Sequence, residues 1–297
     1  MIITETHPLN ELIKRDYDLY CINTFYEPYR WHLGASIISN DCSRYLFYTF
    51  RWCAHPLNFN ALQAEDIKEI ARMHRLFQTG HNKEIVYKSY LEGCGFKVWT
   101  HDENGKQFRI TALDGHYGGS SDGFAKWPAK YEAYTKDIGE NVLLEFKTNN
   151  NGKGWGELIK SGLQVGKLDH YIQSSAYGLE NKISHVLYIN TNKNDDEVYI
   201  EVAKLNWQMA EQMKKKAARI IGLETLPQRI SEDPSYWKCK YCTFTKICHE
   251  KQQTAQNCRS CKNAKPSEKA EWLCRKYNSI IPREEILKQK NCFEPIA

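Results

Sequence analysis

The chain has 297 residues, of which 41% are hydrophobic, 12% aromatic and 26% charged. This composition excludes a disordered chain and a mini-protein held together by staples, and leaves ample length to bury a core. Net charge is +5, and residues 238–297 hold 13 Lys+Arg against 6 Asp+Glu, so the basic excess sits in the C-terminal tail. A nucleic-acid partner is permitted by that distribution but not required by it.

The start, MIITETHPLNELIKRDYDLY, lacks the basic end and apolar run of a secretory signal, and no stretch has the roughly 18 apolar residues of a membrane span. The expectation is a cytoplasmic protein with no membrane partner. Eleven cysteines in a reducing compartment then point to metal or cluster ligation rather than to disulfides.

Residues 1–41 read as irregular and aromatic-rich, followed by a short helix in SRYLFYTFRW. In AEDIKEIARMHRLFQTGHNKEIVYKSYLEG, residues Ile67, Ile70, Phe77, Ile85 and Leu91 recur at helical spacing, predicting one long helix or two broken at Gly80. FKVWTHDENGKQFRITA reads as a hairpin turning at Asn104-Gly105, and HYGGSSDGFAKW as a third strand interrupted by glycines. NVLLEFKT is the fourth strand, with helices predicted around 155–163 and 167–180. HVLYINT and EVYIEVA form a second hairpin, and NWQMAEQMKKKAARIIG an amphipathic helix ending at Gly222. This order predicts an α/β core with a mixed sheet. Three parts are expected: an N-terminal segment 1–62, a core 63–232 and a cysteine-rich tail 233–297.

The strand NVLLEFKT ends in charge. Alternation puts Glu145 and Lys147 on one face and Phe146 on the other. Ordinary buried strands avoid such groups, because an ion taken out of water costs several kcal/mol unless it is paired. Asp122, in GGSSDGF, could come from a neighbouring antiparallel strand whose glycines allow another backbone to approach. Two carboxylates converging at a sheet end suit Mg²⁺ or Mn²⁺. A metal acidifies its bound water and neutralises phosphate charge, and a lysine beside it stabilises the developing charge, so the trio suits phosphodiester hydrolysis.

With these residues in order, the chain resembles the PD-(D/E)xK nuclease superfamily, and within it the RecB-like exonuclease branch with its phage-encoded and CRISPR-associated members. The resemblance runs over about residues 42–248. It implies a restriction-endonuclease-like fold: a central mixed sheet flanked by helices, here with a small cysteine-rich metal-binding C-terminal region. It implies that Glu84 in GHNKE, or His81 beside Gly80, reaches a metal, and that Asp122, Glu145 and the carbonyl of Phe146 complete the ligands. Asp122, Glu145 and Lys147 would be catalytic, joined by Gln173 and Tyr177 of HYIQSSAY, which share a helical face with His170. Serine rather than proline precedes Asp122.

CKYCTFTKIC places Cys239, Cys242 and Cys248 together, one ligand short of four-coordination. The resemblance implies a four-iron iron–sulfur cluster completed by Cys42; zinc on the same ligands, or His249 in place of Cys42, are the alternatives. Cys258 and Cys261 of CRSC, with Cys274 and Cys292, suit a closed structural zinc site. The expected function is a Mg²⁺- or Mn²⁺-dependent DNA exonuclease in the processing or recombination of phage or mobile-element DNA. DNA is its expected partner, with a recombinase or single-strand-binding protein as a further one. A catalytically idle DNA-binding recombination accessory protein and a restriction-type endonuclease are the alternatives.

Overall fold

A computed structural model of the chain describes residue 7 and residues 9–25, 29–55 and 62–296. Parts of the segment 1–62, including much of its first stretch, lie outside the described residues. The first elements are α1 (Leu9–Phe25), β1 (Leu33–Gly34), α2 (Ser43–Phe50) and α3 (Ala64–Gly93). Next come β2 (Lys97–Trp99), β3 (Arg109–Ala112), β4 (Tyr117–Ser120), β5 (Gly123–Lys126), α4 (Glu132–Thr135) and β6 (Asn141–Asn149). The centre of the chain continues with α5 (Lys153–Gly166), α6 (Leu168–Asn181), β7 (His185–Asn192), β8 (Val198–Lys204) and α7 (Trp207–Gly222). The tail adds α8 (Trp237–Lys240), α9 (Thr245–His249), β9 (Ala264–Pro266), β10 (Trp272–Cys274), β11 (Ser279–Ile280) and α10 (Arg283–Ile286).

Backbone contacts divide the chain into two compact units: Met1–Tyr29 with Pro56–Val86, and Arg30–His55 with Tyr87–Ala297. In the first, α1 occupies part of the stretch expected to be irregular. It buries Cys21 and Ile22 against Ile67 and Ala71 of α3, and its buried Asp18 pairs with Lys14 and Arg75. Helix α3 runs unbroken through Gly80. Apolar packing near each end of α3 outweighs a mid-helix glycine's cost of about 1 kcal/mol.

The second unit is mixed α/β. Its main sheet has the order β2-β5-β6-β7-β8, with β6 and β7 parallel and the other pairs antiparallel. The β6–α5–α6–β7 segment makes the crossover that a parallel pair needs. One face of the sheet is apolar: Val142, Leu144 and Phe146 of β6 join Leu187 and Ile189 of β7, covered by Tyr87 and Leu91 of α3. Helix α5 breaks at Gly162 (φ +70°), where the Leu163 N–H donates to Glu201 across 2.7 Å.

The first expected hairpin does not form. Only an isolated bridge joins His101 to Gln107; β2 pairs with β5, whereas β3 pairs with β4 in a separate sheet of order β1-β4-β3. Asp102 closes the turn locally by accepting from the N–H groups of Asn104 and Lys106, so that turn does not decide where the flanking strands go. HYGGSSDGF is likewise two strands, with the chain changing sheets at Ser121-Asp122. The other expected strands and helices of the core are present. Among the described residues, no helix is long and apolar enough to cross a membrane.

Candidate active site

The site begins where β5 stops pairing with β6. The last paired residues are Gly123 and Leu144. Gly123 sits at φ +143°, and a Cβ there would lie 2.3 Å from the Trp99 carbonyl oxygen, so only glycine lets β5 begin at this point. Just before it, Asp122 accepts from the Phe146 N–H at 2.6 Å. The aspartate thus bonds to the strand end where Glu145 and Lys147 point to the opposite face from Phe146. Phe146 itself is core, its ring 5.1 Å from that of Tyr87, and the Tyr87 hydroxyl donates to the Lys147 carbonyl at 3.2 Å.

Glu145 is fully buried and ion-pairs with Lys147, whose side chain is 24% exposed. Burial acts against the ammonium, but the charges of Glu145 and Asp122 outweigh it and push the lysine well above its ordinary range. Helix α6 brings Gln173 and Tyr177 to the same place, with Gln173 donating to the Tyr177 hydroxyl at 3.2 Å. Tyr177 is buried, and its phenol is raised by desolvation and then by the charge of Glu145. A Cβ on Gly119 of β4 would lie 2.7 Å from the Tyr177 hydroxyl, so the glycine makes room for it. Asp122, Glu145, Lys147, Gln173 and Tyr177 are therefore gathered into one group.

Three further residues extend it. Tyr188, opposite Glu145 in register, hydrogen-bonds His170 Nδ1 at 2.7 Å and accepts from Asn190 at 2.6 Å. Both Tyr188 and Asn190 are fully buried. Desolvation and then the Lys147 charge hold the His170 imidazole far below its ordinary pKa, so it is neutral at pH 7. Sequence reasoning placed His170 on the right helical face but missed Tyr188 and Asn190. The available signal was the alternation in HVLYINTN, where polar residues 188, 190 and 192 interleave with apolar 187 and 189. Glu84 lies in the first unit on α3, 3.3 Å from His81.

Eight of the eleven cysteines line two cavities. Cys42 caps the N-terminus of α2 and lines one cavity of about 530 Å³ with Cys239, Cys242 and Cys248. Cys258, Cys261, Cys274 and Cys292 line another of about 30 Å³. Burial raises the thiols of Cys239 and Cys242, and pushes Cys258 up to about 11. Among the described residues, no group of three or more His, Cys, Asp or Glu side chains is arranged to hold a metal ion. Each set of thiols shares a cavity without forming a ready-made ligand cage.

No protein-family model matches the chain, and no curated protein does. Solved structures resemble it loosely. One is LHK-Exo in complex with dAMP, 11% identical over 64% of this chain and 86% of that chain, at a TM-score of 0.37. Another is SSO0001, 14% identical over 83% and 98%, at 0.40. A third is an alkaline exonuclease (LHK-Exo) from Laribacter hongkongensis, 10% identical over 69% and 90%, at 0.37. Overlaps this loose carry no argument about activity. The functional reading rests on the side chains.

Proposed function

We propose that the chain is a divalent-metal-dependent DNA nuclease, an exonuclease acting in the processing or recombination of phage or mobile-element DNA. The observation that carries this reading is the Asp122 carboxylate bonded to the Phe146 N–H, beside the buried Glu145–Lys147 pair. The donors there are two carboxylates and the Phe146 backbone carbonyl. An all-oxygen set of this kind fits Mg²⁺ or Mn²⁺. The ion, when bound, supplies an acidified water and neutralises phosphate charge.

The chain's own groups supply the rest. Lys147 stays an ammonium because two carboxylates face it, so it presents a fixed positive charge to a phosphate whose negative charge grows in the transition state. Tyr177 and Gln173 hold each other on α6 and offer hydrogen-bond donors at the edge of the same group. His170, neutral and bonded to Tyr188, adds no second positive charge beside Lys147.

The same proposal assigns a different cofactor to each cysteine cavity, by size. Four soft sulfurs around about 530 Å³ leave room for a four-iron cluster, and Arg44 places a guanidinium nitrogen 3.9 Å from Cys248 Sγ. Four sulfurs around about 30 Å³ fit a single zinc ion in a structural site.

The test uses end-labelled linear DNA with Mg²⁺ or Mn²⁺. The wild-type chain should shorten it progressively, and Lys147→Ala should abolish cleavage while leaving DNA binding intact. No cleavage of any single- or double-stranded substrate would sink the proposal, and defined cuts in covalently closed circles would make the protein an endonuclease.

A further inference from the structure

Residues 236–241 read Tyr-Trp-Lys-Cys-Lys-Tyr. Cys239 is buried against the larger cysteine cavity, which fixes the orientation of the short turn α8. Trp237 and Tyr241 stand at the rim of the same cavity, 63% and 80% exposed. Residues four apart on a helical turn share a face, so both rings lie on one side. Lysines flank them: Lys238 Nζ lies 5.1 Å from the centre of the Trp237 ring, and Lys240 Nζ lies 5.7 Å from that of Tyr241. Lys238 is tied to Asp41 at 2.5 Å, which holds it against the indole. Lys240 and Lys246 are exposed and make no ion pair among the described residues.

Two open aromatic rings, each with a lysine ammonium over it, match single-stranded nucleic acid. Its base faces are available for stacking, whereas a duplex hides them, and its backbone is anionic. We propose that Trp237 and Tyr241 form a stacking platform for single-stranded DNA, with Lys240 and Lys246 contacting its phosphates. This deepens the nuclease reading and rests on it for the choice of polymer. A protein partner would use the rings without needing the lysines.

The test uses the full-length chain in EDTA, so that nothing is cut, and follows the anisotropy of a labelled oligo(dT) of about twenty nucleotides. Each ring should be worth roughly 5- to 160-fold in affinity. Trp237→Ala/Tyr241→Ala should therefore bind the single strand at least tenfold more weakly than wild type, and a duplex of the same length within about twofold. Trp237→Phe/Tyr241→Phe should keep most of the affinity. Lys240→Gln/Lys246→Gln should flatten the salt dependence by about 0.7 in slope per lysine. Unchanged single-strand affinity in the alanine variant overturns the platform, as does an equal loss for both substrates. A chain that cuts DNA with Mg²⁺ but binds oligo(dT) without these rings loses the platform and keeps the nuclease reading. One that binds through the rings but cuts nothing does the reverse.

Discussion

Replacing Lys147 with methionine keeps the length of the side chain and removes its charge. The ammonium is then lost from beside a fully buried carboxylate, Glu145, with Asp122 close by. Breaking a buried pair from one side costs about 3–5 kcal/mol. Lys147 is 24% exposed, so the lower figure of about 3 kcal/mol applies. At roughly 2–4 °C per kcal/mol for a unit of this size, the metal-free variant should melt about 6–12 °C below wild type. Magnesium should then discriminate between the two proteins. A divalent ion at Glu145 and Asp122 replaces the missing positive charge in the variant but is repelled by Lys147 in wild type, so the Mg²⁺-induced rise in Tm should be larger in Lys147→Met. Cleavage should nevertheless stay at least about 100-fold down, because the recovered stability does not restore the fixed cation at the phosphate. Calorimetry of both proteins in EDTA and in Mg²⁺, run beside the cleavage assay, tests this. Equal melting without metal, or equal Mg²⁺ shifts, would refute the electrostatic account of the site.

Three other outcomes follow from the same geometry. Gly119→Ala puts a Cβ 2.7 Å from the Tyr177 hydroxyl, so it should cost about 1–3 kcal/mol and reduce cleavage at least tenfold; an unchanged Tm and rate would mean that Tyr177 is not held against β4. His170 has a lowered folded-state pKa, so the unfolded chain takes up its proton first and stability falls as pH drops below about 6.5. His170→Asn should flatten the pH dependence of urea unfolding between pH 7 and 5, and an unaltered slope there rules out this origin. Anaerobically purified protein should be brown with broad absorption near about 400 nm and should carry one zinc per chain. Cys242→Ser should remove the colour alone and Cys261→Ser the zinc alone; simultaneous loss of both would merge the two sites.

How far the sequence could be read depended on where each residue's partners lie. The strand 141–149 was legible because Glu145 and Lys147 break an apolar run in a way that demands a partner, and the partner Asp122 was signalled by glycines that the close approach of strands requires. The false hairpin at Asn104-Gly105 shows the converse. Its turn chemistry is real, but the Asp102 bonds that satisfy it say nothing about strands that diverge into two sheets. Helix α1 escaped notice because its apolar residues Leu9, Leu12, Ile13, Tyr17 and Tyr20 are exposed, while its buried side includes a charged residue, Asp18. Tyr188 and Asn190 were missed for a related reason: a polar face buried within a β-strand looks, one residue at a time, like a solvated one.

The tail is bound into the core by two arginines, which bears on how the cysteine groups act. Arg51, at the end of α2, donates to the carbonyls of Arg259 (3.2 Å), Ala264 (2.7 Å) and Leu223 (3.2 Å). Arg259, inside the CRSC turn, donates back to Trp31 at 3.2 Å and to Phe50, and lies 4.0 Å over the Trp52 ring. Both guanidiniums are buried, and desolvation drives their pKa values down, Arg51 to about 10. Charges held this way depend on carbonyls fixed in place, since each buried donor left without an acceptor costs about 1–3 kcal/mol. The CRSC turn that carries Cys258 and Cys261 therefore supplies one acceptor that buried Arg51 needs, the Arg259 carbonyl, while the other end of α2 carries Cys42. A single helix of eight residues thus has Cys42 at its N-terminal cap and, at its C-terminal cap, the Arg51 that grips the CRSC turn.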